Sequence, residues 1–186
     1  MRWDDLFDDL AARAEHAHRL ERDEEVADRI RRDEATVTLA SRVRAATGAV
    51  TFVLRDGTTL NGRVEGVGPD WFLVREAAAS RQVLLPAAAV LALRGVPGRS
   101  AAPWGAVAAR RTLLLAVRAL AGAGVHVVVR TGGVDVRGTV GRVGADHVDV
   151  VDLDDLVDVA EGQRADSGAR TTTVPFAALL SITEVV

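Results

Sequence analysis

At 186 residues, 48% apolar and 26% charged, the chain has material for one ordinary domain or two very small ones, and too little for a large multidomain enzyme. It has no cysteine, which excludes disulfides, thiolate metal sites and thiol nucleophiles and fits a reducing compartment. The net charge of −3 averages unlike segments: 7 Arg face 12 Asp and Glu over residues 1–35, 8 face 4 over 36–100, and 8 face 10 over 101–186.

The chain opens Met1-Arg2-Trp3-Asp4-Asp5, acidic where a signal peptide is basic, and no apolar run approaches the ~18 residues of a membrane span. A cytoplasmic protein without a membrane segment is expected. Residues 1–36 lack Gly and Pro and place Trp3, Leu6, Phe7 and Leu10 at helical spacing, which predicts an amphipathic helix. That stripe either docks on the rest of the molecule or binds another chain. It is the candidate partner-binding surface.

From residue 37 the chain repeats itself. Gly62-Arg63-Val64-Glu65-Gly66-Val67-Gly68-Pro69-Asp70 aligns with Gly138-Thr139-Val140-Gly141-Arg142-Val143-Gly144-Ala145-Asp146. Upstream, Phe52–Arg55 aligns with Val127–Arg130; downstream, Leu85–Leu91 aligns with Val174–Leu180. Each copy starts with a helical stretch, Leu39 to Thr47 before Gly48 and Val107 to Ala121 before Gly122. In the first copy, strands are predicted at Val50–Arg55, Leu60–Val67, Trp71–Arg75, Val83–Leu85 and Val90–Leu93, with a hairpin turn at Asp56-Gly57 and one helical turn after Pro86. The expected fold is therefore mainly β with helices: an N-terminal helix (1–36), a five-stranded small barrel (37–95), a linker (96–106), and a helix with a second barrel (107–186) carrying an acidic loop at 152–168.

A short helix and five strands, with Gly57 and Gly62 five residues apart and an Asp before the third strand, resemble the Sm and LSm proteins, including bacterial Hfq. The likeness covers about 37–95 and 107–186. It implies SH3-like barrels, homo-oligomers formed by strand pairing, and binding of single-stranded RNA. The Asn of the first Sm motif and the Arg-Gly of the second have no counterpart here, so no RNA-contacting residue is carried over from the family. The opening residues Met1 to Phe7 also resemble a group of proteins of high-GC bacteria to which no function attaches.

For RNA, the residues themselves offer Arg42, Arg44, Arg55, Arg63, Arg75 and Arg81, set among few acids, with Trp71 as a base-stacking platform or a core residue. His147 shares a strand face with Asp149, and His126 lies on a neighbouring strand. No third metal ligand stands at recognisable spacing, so ordinary strand residues are expected. No nucleophile, base and orienting group form a motif, and no cofactor fingerprint is present. The expectation is a non-enzymatic binding protein whose partner is single-stranded RNA or, alternatively, protein bound through the N-terminal helix and the sheet edges; a DNA-binding regulator would need a helix-turn-helix, and none is evident.

Overall fold

The computed structural model describes residues 15, 18, 19, 22, 24–32, 34–152 and 170–185. Chain contacts divide it into two units, Met1–Thr38 and Leu39–Val186. In the first, residues 24–32 are helical and largely exposed, with i,i+3 and i,i+4 ion pairs from Asp28 to Arg31 and Arg32. Trp3, Leu6, Phe7 and Leu10 lie outside the described residues, as do residues 153–169, which hold most of the acidic loop.

The second unit carries the repeat. Its first half runs α1 (Leu39–Arg44), β1 (Ala49–Leu54), β2 (Thr59–Val67), β3 (Trp71–Glu76), β4 (Gln82–Pro86), a one-turn 3-10 helix (Ala87–Ala89) and β5 (Val90–Arg94). The second half runs a 3-10 turn (Ala108–Arg110), α2 (Leu113–Ala123), β6 (His126–Thr131), β7 (Asp135–Val143), β8 (His147–Asp152), β9 (Thr171–Pro175), a 3-10 turn (Phe176–Ala178) and β10 (Leu179–Glu184). The β-branched and leucine-rich runs form strands, as their composition predicts.

The expectation of two separate barrels is corrected. All ten strands form one open antiparallel sheet in the order β5-β1-β2-β3-β4-β10-β6-β7-β8-β9. The order within each half is the same, the fifth strand returning to pair with the first. The halves are joined where β10 pairs with β4 through Ile182↔Leu84 and Thr183↔Val83. The cause lies in β4: Val83 and Leu85 point into one apolar cluster with Phe52 and Phe72, while Leu84 points into the other with Leu113, Val117 and Ile182. A strand apolar on both faces needs cover on both, and burying Leu84 alone is worth about 1.5–3 kcal/mol.

Two further expectations shift. Val127–Arg130 occupies the place of Val50–Val53, two residues earlier than the sequence alignment puts it: Val50 faces Gly62 as Val127 faces Gly138, and Phe52 faces Leu93 as Val129 faces Ile182. Both helices are also shorter than expected. α1 ends at Arg44, and α2 begins at Leu113 and stops at Gly124, whose φ of +63° is the left-handed conformation a helix C-terminus commonly uses.

The shared spacing of the repeat has a packing reason. A Cβ at Gly62 would collide with the Arg75 carbonyl oxygen, and one at Gly138 with that of Val151, so both second strands need glycine to bend close to the third. The later Gly-x-Asp closes the same turn twice: Gly68 N–H donates to the Trp71 carbonyl and Gly144 N–H to that of His147, each at 2.9 Å. The Asp70 carbonyl then accepts from Ala87 N–H at 2.8 Å, and the Asp146 carbonyl from Phe176 N–H at 2.7 Å.

Candidate functional site

The repeat turns each position into a pair, so a surface left open in one half can be compared with its covered counterpart in the other. The widest disparity is between β5 and β10. Leu180 on β10 is 1% exposed, whereas Leu91, its equivalent on the edge strand β5, is 65% exposed. Leu113, the first residue of α2, is 7% exposed, and Leu39, the first residue of α1, is 46% exposed. The outer face of β3 and β4 from the first half packs against α2 and against Ile182 of β10, while Leu180 lies outside that cluster, beside Arg55 and Asp56. Trp71, Leu73 and Leu84 pack there against Leu113, Ala116 and Leu120, beside an open cleft of about 360 Å³ walled by Leu115 and Ala119.

Polar contacts pin this junction. Asp70 Oδ1 accepts the Leu113 N–H at 2.7 Å, supplying an acceptor to a helix-end donor that has none within its helix. Trp71 Nε1 donates to the Arg111 carbonyl at 2.7 Å. Arg55 Nη2 donates to the Ala177 and Leu179 carbonyls at 2.7 and 3.1 Å. Arg130 reaches Asp56 at 3.3 Å. The Asp56 carboxyl is held below its ordinary pKa of 3.8, first by the Thr58 hydroxyl that donates to it and in lesser part by Arg130.

Of the seven residues predicted to meet RNA, Arg55 and half-buried Trp71 therefore belong to the junction between the halves. Arg42 donates to the Pro97 carbonyl at 3.0 Å. Arg44 donates to the Ala102 carbonyl and lies 4.3 Å over the Trp104 ring. Arg75 pairs with Glu65, and Arg81 with Glu76 at 2.7 Å. The Glu65 carboxyl is lowered chiefly by that Arg75 bond and further by Gln82. Arg63 is exposed on β2. The structure thus spreads these arginines over the first half and gives six of the seven residues protein acceptors.

The histidines are not drawn into one site. His147 Nδ1 lies 2.8 Å from Asp146 Oδ1, a contact that lowers the Asp146 pKa, whereas Asp149 accepts from the Thr173 hydroxyl at 2.6 Å. His126 is exposed at the start of β6. Among the described residues, no three His, Asp or Glu side chains gather as a metal site, and no helix is long and apolar enough to cross a membrane.

The sequence offers sheet edges as a contact surface but does not tell that β5 and β9 are the strands left at the rims. The signal was available in the aligned strands: Val83-Leu84-Leu85 against Thr172-Thr173-Val174 marks a fourth strand that is covered on both faces in one half and on one face in the other. No protein-family model, curated protein or solved structure matches this chain.

Proposed function

We propose that this chain is a non-enzymatic protein-interaction and assembly module that recruits its partner by strand addition at the exposed β5 edge. The observation that carries the reading is Leu91. A five-residue edge strand, apolar up to its terminal Arg94 and without a partner on one side among the described residues, is a template for another strand. The equivalent strand in the same chain, β10, has its outer edge paired with β4. Arg42, Arg44, Arg55, Arg75, Arg81 and Trp71 support this choice over RNA, because each already donates to a carbonyl or carboxylate within the fold.

The test compares full-length wild type with Leu91→Lys, purified without nuclease. Stoichiometric protein, a second copy or another chain, should accompany the wild type and be lost from the variant, with both showing the same circular dichroism. A high 260/280 nm absorbance ratio, with binding that falls steeply with salt and is indifferent to Leu91→Lys, would instead establish single-stranded RNA as the partner.

A further inference from the structure

We infer that the cleft between α2 and the outer face of β3 and β4 binds a small amphiphilic acid, a molecule with an apolar chain and one terminal carboxylate. The cleft holds about 360 Å³, at the lower end of the range for small-ligand sites. Trp71, Leu73 and Leu84 line it from the sheet, and Leu115, Ala119 and Leu120 from the helix. The duplication shows how unusual this lining is. In the second half the positions of Trp71, Leu73 and Leu84 hold His147, Asp149 and Thr173, residues suited to water. The first half is apolar there because α2 lies over it, yet the cover is incomplete. Leu115 remains 48% exposed and Ala119 is exposed, and both face the cleft. Apolar surface therefore stands open on both walls, where close packing would have sealed it.

Polarity along the cleft selects the ligand. Arg111 and Thr112 line it where α2 begins, and Leu120 lines it toward the other end of the helix. At 1.5 Å per residue, Thr112 and Leu120 are about 12 Å apart, room for an extended chain of roughly ten carbons. Arg111 is exposed, and its guanidinium has no hydrogen bond or ion pair among the described residues. Its backbone is held in place, since Trp71 Nε1 donates to the Arg111 carbonyl at 2.7 Å. Thr112, whose hydroxyl makes no capping bond, stands beside it as a second donor. The carboxylates that reach this region are already engaged. Asp70, next to Trp71, accepts the Leu113 N–H, and Glu65, which reaches Gln82 of the wall, is paired with Arg75. A single available cation at one end of an otherwise apolar groove complements one carboxylate on a hydrocarbon body.

The test is calorimetric titration of the full wild-type chain with decanoate and with decylammonium, which has a chain of the same length and the opposite charge. Decanoate should bind saturably, half-complete at about 1 mM or below, and decylammonium about tenfold more weakly. Arg111→Gln should narrow that gap about fivefold, the size expected of one solvent-screened ion pair. Ala119→Trp, which fills the cleft from the helix, should abolish decanoate binding while circular dichroism stays that of the wild type. A Trp3→Phe/Trp104→Phe chain leaves Trp71 as the one tryptophan, and its emission should change as decanoate binds. Absence of saturable decanoate binding up to about 10 mM would overturn the inference. So would decylammonium binding as tightly as decanoate, a gap untouched by Arg111→Gln, or binding that leaves Trp71 emission unaltered. Leu91→Lys should not change decanoate binding, so the cleft and the β5 edge stand or fall separately.

Discussion

β5 and β10 are the same strand folded in two settings. Each returns from a 3-10 turn after a proline to pair with the first strand of its half, yet β10 is buried in the middle of the sheet and β5 lies exposed at its rim. The sequences differ accordingly but not drastically, Val-Leu-Ala-Leu-Arg against Leu-Leu-Ser-Ile-Thr. Burial of a strand here is decided by what its neighbour presents. β4 offers β10 a leucine on its outward face and the valine and leucine beside it on the other, whereas nothing among the described residues pairs with the free side of β5.

The sharpest way to break this comparison is to place the same charge at both positions. Leu180→Lys buries an unpaired ammonium and should cost about 4 kcal/mol or more, enough to unfold a marginal domain; Leu91→Lys should stay within about 0.5 kcal/mol in the monomer. Urea unfolding followed by circular dichroism measures both. The next largest effect is at the helices. Leu113→Ala should lose about 2–5 kcal/mol by emptying a packed site, and Leu39→Ala a few tenths, about the size of an ordinary surface change. Equal losses at the two sites would show that α1 is covered in solution as α2 is in the chain, which also bears on self-association.

A smaller contrast separates the two repeated aspartates. Their backbone roles are the same, so Asp70→Ala and Asp146→Ala differ only in the side chain. Loss of the acceptor at Leu113 N–H should cost about 1 kcal/mol, whereas loss of the exposed Asp146 contact with His147 should leave the urea midpoint where it is. The smallest effect is acid dependence at the junction. Because the folded-state pKa of Asp56 is lowered, its stabilisation is present above the ordinary value of 3.8 and disappears as pH falls through the folded value. The stability gap between wild type and Asp56→Asn should therefore be full at pH 6 and shrink as pH falls below 3.8. A gap that widened on acidification would contradict the Thr58 and Arg130 contacts.

Much of the architecture is legible in the residues. The strand runs, the Asp56-Gly57 hairpin with Gly57 at φ +82°, the turn after Pro86 and the duplication all follow from local chemistry. The sequence misaligns the first block of the duplication by two residues because runs of valine look alike at every even shift; only the partners across the sheet distinguish Val127 from Val129. It overextends the helix that starts at Leu113 because nothing local in Val107–Thr112 opposes a helix, while the acceptor that meets its first N–H comes from Asp70. The arginines look available for RNA because their carbonyl acceptors lie far away in the chain, 55 residues for Arg42 and 122 for Arg55.

By itself, then, the sequence determines the elements, their order and the fact that they occur twice, because turn chemistry, β-branching and the repeated glycines act over a few residues. Whether the two halves stand apart or share a sheet was decided only in the tertiary structure. Backbone pairing between β4 and β10 joins segments distant in the chain, Leu84 with Ile182, and its strength rests on Leu84 finding the second core. The same long-range pairing leaves one fourth strand and one fifth strand at the rims, and so defines the surface on which the proposed function depends.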